Sequence, residues 1–192
     1  MLTSVLAMAH HAIADVLGDG DLAVDATLGN GHDTLFLAER VGPTGHVLGF
    51  DVQAAALTQT RRRLEAHGVA DRVTLVQAGH ESLDAHIAAD RPIQAVMFNL
   101  GYLPGADKAT VTRPATTLAA LESACALLAV GGRISIVVYV GHEGGAAEAD
   151  AVAGFLQSVD QRSFQVIRYD FINQKNTPPY LFLLEKLKPY HS

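Results

Sequence analysis

The sequence predicts an α/β fold built on a doubly wound, mostly parallel sheet. Three observations carry this. Helix-like and strand-like segments alternate along the chain, the last two strand-like segments have no helix between them, and short glycine- and acid-rich loops follow the early strands.

Taken in order, residues 1–18 read as an N-terminal amphipathic helix. Residues 21–26 (DLAVDA) form a short apolar strand ending in an acid, and 33–41 have helical spacing. A second strand covers 45–51 and also ends in an acid. A helix over 54–68 closes at Gly68, a C-terminal capping residue. Strand 72–78, a short helix over 81–89 and strand 93–99 follow. A helix over 114–132 starts at Pro114 and stops at Gly131-Gly132, before strand 133–140. After a helix over 146–159, strands 164–171 and 180–187 close the chain, antiparallel to each other or flanking an existing strand. Seven strands with this ending fit a methyltransferase-like sheet better than a dinucleotide-binding one. No linker, repeat or low-complexity stretch divides residues 1–192, so one domain is expected.

Composition narrows the function. The 192 residues carry a formal charge of −6, which gives no global footprint for nucleic acid. No apolar stretch approaches the roughly 20 residues of a membrane-spanning helix, and the N-terminus lacks the basic region of a signal peptide. The single cysteine, Cys125, excludes an internal disulfide and reads as a small core residue. The nine histidines lack zinc-ligand spacing, so no metal is expected. These features fit a cytoplasmic protein. The apolar face of the N-terminal helix is available to a second copy, as in a homodimer.

Ligands of such sheets bind beyond the carboxyl ends of the strands. There the segment VDATLGNGHDT (24–34) offers Asp25, Thr27, Gly29, Asn30, Gly31, Asp33 and Thr34. Gly29 and Gly31 let the backbone turn and approach a ligand, and Asp33 or Thr34 suits the cap of the next helix. A dinucleotide fingerprint needs a third glycine where Thr34 stands. An acid ahead of the loop suits a cationic ligand better than a pyrophosphate. S-adenosylmethionine (SAM) is such a ligand, and Asp25 can hold its aminoacyl end directly or through water. Asp51, followed by Gln53, ends the second strand, where a carboxylate accepts hydrogen bonds from ribose hydroxyls. His80 and Glu81, after the third strand, face the position of a nucleoside base. Arg61, Arg62 and Arg63 lie within a helix and read as a solvated face.

Six segments together, DATLGNGHDTLFLA, GFDVQ, FNLGYLPGADK, TTLAALE, YVGHEGG and NQKNTPPYLFLLEK, span nearly the whole chain in order. They resemble the small Rossmann-like class I methyltransferases labelled rRNA methylases, of the MnmM type. Ala106 stands where that family more often has glycine. The resemblance implies SAM as donor and the anticodon region of tRNA as partner. It also implies N-methylation of the aminomethyl group of 5-aminomethyl-2-thiouridine at the wobble position.

The tetrad NLGY (99–102) resembles the N-P-P-Y-like motif that amino-group methyltransferases carry after the fourth strand. An Asn99 carbonyl can accept amine N–H bonds and aim the nitrogen lone pair. Gly101 allows close approach, and Tyr102 can stack on a base or on the developing cation. An alkylamine is mostly protonated near neutrality, so the site must shed a proton; Asp107 is the leading acceptor for it. Lys108, Arg113 and Lys175 suit phosphates, and Tyr139, His142 and Asn173 suit the rim near the acceptor. Two other readings stay open. One is a SAM-dependent methyltransferase of rRNA or a small amine. The other is a non-catalytic nucleoside-binding protein, against which the missing third glycine counts where that nucleoside is NAD.

Overall fold

The computed structural model describes residues 1–88, 90–101, 112–141 and 143–189. Its centre is a seven-stranded sheet in the order β3-β2-β1-β4-β5-β7-β6. The strands are β1 (Leu22–Asp25), β2 (His46–Phe50), β3 (Val73–Val76), β4 (Ile93–Leu100), β5 (Leu128–Val138), β6 (Phe164–Tyr169) and β7 (Tyr180–Lys186). Strands β1 to β5 pair in parallel. Strand β7 inserts between β5 and β6 and runs antiparallel to both. The two closing strands thus pair antiparallel and also flank a strand already present, and the last strand is the one that reverses.

Burial follows the two-residue period of the strands. Val96, Phe98 and Leu100 of β4 join one apolar cluster, and Ala95 and Met97 join the other. Both faces of the central strands are therefore covered, which explains their nearly unbroken apolar runs. On one face lie α4 (Pro114–Leu127), α5 (Gly145–Ser158) and a 3-10 turn over His80–His86. On the other lie α1 (Val5–Ala14), α2 (His32–Arg40) and α3 (Ala54–Ala66). Helix α1 buries Val5, Ala9, Ala12 and Ile13. Its apolar face rests on β5 and β7 of its own chain, not on an open surface that awaits a second copy.

Gly68 ends α3 as its sequence position predicts. It has φ +66°; its N–H donates to the Glu65 carbonyl, and the Val69 N–H reaches back to Leu64. That pair of bonds satisfies the last turn, and a left-handed residue there favours glycine.

Three expectations need correction. The segment 81–89 is a 3-10 turn over His80–His86, not an α-helix. Helix α4 stops at Leu127, and β5 already begins at Leu128. Gly131 (φ +81°) and Gly132 lie inside the strand, where the register slips: Ile93 faces Leu128, but Ala95 faces Arg133. The two glycines mark a strand irregularity, a use that resembles a helix stop in sequence. Finally, α2 is capped by Gly31 (φ +73°) and not by Asp33 or Thr34; no side chain bonds at that cap. A Cβ at Gly31 would fall 2.6 Å from Thr60 Oγ1 on α3, so the close helix packing also demands glycine.

Candidate active site

The carboxyl ends of β1, β2, β3 and β4 open on a cavity of about 750 Å³. That is within the usual range for small-molecule sites, about 300–1,000 Å³. Residue 25 closes β1 beneath the cavity, with no exposed surface. Asp25 accepts a bond from the Thr27 N–H (3.1 Å) and one from the Thr34 hydroxyl (2.6 Å). Burial, and next the charge of Asp33, push its pKa up to about 7. Asp25, Gly31 and Thr34 therefore form the scaffold of the loop and do not reach the cavity wall. Thr27, Gly29, Asn30 and Asp33 do reach it.

Asp51 stands across from this loop, on the connection after β2. Its two oxygens accept the Gln53 N–H (2.9 Å) and the Gly29 N–H (3.1 Å). A carboxylate offers about four lone-pair sites, so capacity remains for two donors from a ligand. Val52, 55% exposed, lies beside it in the wall with Phe50 and Gln53. A large apolar side chain left open there is a ready surface for a flat ring. Beyond β3, His80 and Glu81 also line the cavity. His80 is buried, its Nδ1 donates to the Ala26 carbonyl (3.1 Å), and its ring meets Phe98 edge-on. Burial lowers its pKa, so the neutral ring is favoured.

At the end of β4, the Asn99 backbone N–H donates to Thr27 Oγ1 (2.7 Å), and its Nδ2 donates to Asp33 Oδ2 (2.6 Å). The other oxygen of Asp33 bonds His10 Nε2 on α1 at 2.6 Å. Gly101 and Thr112 bond each other: the Gly101 N–H reaches Thr112 Oγ1 at 3.1 Å, and the Thr112 N–H reaches the Gly101 carbonyl. The Thr112 and Thr117 hydroxyls both donate to the buried Glu148 carboxylate, at 2.6 Å each. The chain is thus fixed on both sides of residues 102–111. Arg113 and Tyr139 complete the wall. Burial and the Asp33 charge raise the Tyr139 pKa, so its hydroxyl keeps its proton near neutral pH.

Asn173 and Lys175 lie on the exposed connection between β6 and β7 and are not among the residues that line the cavity. Tyr102, Asp107, Lys108 and His142 lie outside the described residues.

Several contributors escape sequence reasoning. Leu6 of α1 lines the cavity, and His10 reaches it through Asp33. Nothing in a generic amphipathic helix marks these two residues. Arg63 is not simply a solvated residue: its Nε donates to the Asn30 carbonyl at 2.9 Å, bracing the glycine loop from α3. Glu148 had one signal, an acid in the first turn of a helix after β5.

Residues 47–185 match the family model described as "Putative rRNA methylase". The chain belongs to this family. It is also 34% identical over 187 residues to the chloroplastic tRNA (mnm(5)s(2)U34)-methyltransferase of Arabidopsis thaliana, covering 93% of this chain and 68% of that protein. A rRNA-methylase structure from Clostridium thermocellum is 47% identical, with TM-score 0.94 over 97% of this chain and 99% of that one. A Streptococcus mutans methyltransferase solved in complex with SAH is 41% identical, with TM-score 0.90 over 97% of this chain and 100% of that one. As a member of the rRNA methylase family, the chain is a SAM-dependent methyltransferase with the Rossmann-like fold of that class.

Proposed function

We propose that this methyltransferase acts on the aminomethyl group of 5-aminomethyl-2-thiouridine at the wobble position of tRNA. The observation that carries the reading is the position of Asn99. It is the penultimate residue of β4 and lies on the cavity wall, hydrogen-bonded to the glycine-loop side through Thr27 and Asp33, and Gly101 and Tyr139 line the same cavity. The likeness over most of the chain to the Arabidopsis tRNA enzyme supplies the acceptor class.

In this reading Asp51 binds the ribose hydroxyls of SAM, and Val52, His80 and Glu81 enclose the base. Thr27, Gly29, Asn30 and Asp33 take the aminoacyl end, while Asp25 and Thr34 hold the loop from below. SAM supplies a methyl group on a positively charged sulfur, open to direct displacement by a nitrogen lone pair. Asn99 and nearby backbone carbonyls accept the amine N–H bonds and aim that lone pair. Tyr102 and Asp107 follow Asn99 in sequence, and we assign them to stacking and to the acceptor's proton. Lys108, Arg113 and Lys175 meet phosphates in the anticodon region, which lets an acidic chain hold RNA. Tyr139, His142 and Asn173 form the rim. Residues 1–192 work as one domain, in the cytoplasm.

The test is methyl transfer from labelled SAM to tRNA carrying the aminomethyl nucleoside, with rRNA and small amines assayed in parallel. Turnover on that tRNA supports the reading; turnover on rRNA or small amines alone refutes it. Asn99→Ala lowers kcat by about a hundredfold, the scale of losing one positioning contact. Normal turnover in that variant removes Asn99 from the mechanism.

A further inference from the structure

We propose that His10, acting through Asp33, sets the side-chain orientation of Asn99, so that α1 determines which kind of nucleophile the site accepts. The inference rests on the amine-acceptor reading above. Three side chains from three separate elements form one hydrogen-bonded line. His10 Nε2 (α1) lies 2.6 Å from Asp33 Oδ1 (α2), and Asp33 Oδ2 lies 2.6 Å from Asn99 Nδ2 (β4). A carboxylate accepts hydrogen bonds and donates none. It therefore admits only the amide nitrogen of Asn99; the flipped amide would set two acceptor oxygens 2.6 Å apart. Among the described residues no donor reaches Oδ1 of Asn99, so that oxygen is the one to meet a ligand. An oxygen so placed selects an acceptor that carries N–H or O–H, and it rejects one that offers only lone pairs.

Asp33 needs a holder, because its side chain could otherwise turn to solvent or to the bound ligand. His10 is that holder. Its ring stacks on Phe36 with centroids 4.1 Å apart and planes within 4°. Phe36 belongs to the same helix as Asp33, so the stack fixes the imidazole against α2 while Nε2 reaches the carboxylate. Among the described residues, the groups around Asp33 are His10 from α1, Asp25 from β1, Asn99 from β4 and Tyr139 after β5. Of these, His10 and Asn99 are the donors bonded to it. His10 itself is absent from the cavity wall, so it is a positioning residue and not a catalytic one. The arrangement parallels the outer partners that orient the ligands of metal sites, where loss of the partner costs about 10- to 100-fold.

The negative charge of Asp33 adds a second effect. A nitrogen that gains a methyl group develops positive charge, and a fixed carboxylate one side chain away favours that charge. Asp33→Asn separates the two roles. The asparagine carbonyl can still accept from Asn99 while its amide donates to His10, so orientation persists and the charge is lost.

The experiment pairs kinetics with a measurement that needs no acceptor. In His10→Ala, kcat on aminomethyl-thiouridine tRNA falls at least tenfold, a larger drop than that in SAH affinity by calorimetry. His10→Gln, whose amide nitrogen can replace Nε2 as donor, recovers most of kcat. By NMR on the full chain, the Asn99 side-chain NH2 exchanges slowly in the wild type and rapidly in His10→Ala. Equal loss in the Ala and Gln variants with a parallel fall in melting temperature overturns the positioning role, as does an unchanged Asn99 exchange rate. A wild-type protein that leaves this tRNA unmethylated refutes the acceptor reading instead. The NMR result then still decides whether His10 orients Asn99.

Discussion

Asp25 lies where two forces oppose each other. Two hydrogen bonds favour its charged form, but complete burial and the nearby Asp33 carboxylate favour the neutral one, and burial prevails. A carboxyl raised from 3.8 to about 7 is held protonated by the folded state through a range where the unfolded chain has released its proton. The folded state then binds more protons, so stability falls as pH rises from about 4 to about 7. Below about pH 4 both states are protonated and the penalty vanishes; above about pH 7 it is complete. Asp25→Asn removes this dependence. Denaturant unfolding at about pH 4 and about pH 7.5 is expected to show the wild type losing stability relative to the variant as pH rises. Parallel profiles contradict the assignment. The sequence marked Asp25 as an acid beside a glycine loop, but not that Thr34 would fold back to cover it. It marked Asp33 too, while its link to His10 joins residues 23 positions apart on different helices and leaves no local pattern.

Helix α4 and strand β5 show what one buried cation does for an element. Leu128 leaves helical geometry at once, so the last carbonyls of α4 have no helical partner. Lys186, on β7 and only 4% exposed, donates from Nζ to the carbonyls of Cys125 (2.9 Å), Ala126 (3.1 Å) and Leu128 (2.8 Å). Lys186→Met keeps the aliphatic stem and strips all three partners. The expected cost is about 3 kcal/mol, the scale of losing charged hydrogen bonds and leaving carbonyls buried, read by chemical or thermal unfolding. A change within experimental error shows that water replaces the ammonium. Sequence alone placed this boundary five residues late. Its stop signal, Gly131-Gly132, is real but belongs to the strand, and the true stop depends on a lysine near the other end of the chain.

On the scale of the whole molecule, alternation of elements was enough to predict the sheet, because parallel strands need crossover connections and helices between strands supply them. The closing pair was legible in part: without a helix between them, β6 and β7 were expected to pair antiparallel or to flank a strand already present, and they do both. The end of the sheet that holds the cavity was legible as well, since glycines and acids collect after β1, β2 and β3. What escaped was the contribution of elements distant in sequence: α1 supplying Leu6 and His10, α3 bracing the loop with Arg63, and α5 offering Glu148 to Thr112 and Thr117. Long-range packing created these contacts, and no spacing rule encodes them. The topology also sets the place of Asn99. It is the penultimate residue of β4, the strand at the centre of the sheet between β1 and β5, so the glycine-loop side meets it through Thr27 and Asp33.

In the proposed reaction a methyl group is delivered to an amine on the wobble nucleoside. The most direct measurement is mass spectrometry of tRNA nucleosides after incubation of the purified protein with SAM and aminomethyl-thiouridine tRNA. The aminomethyl nucleoside is expected to gain one methyl group, and Asn99→Ala is expected largely to abolish the gain. An unchanged wobble nucleoside, with methyl transfer found instead on rRNA or a small amine, would contradict it.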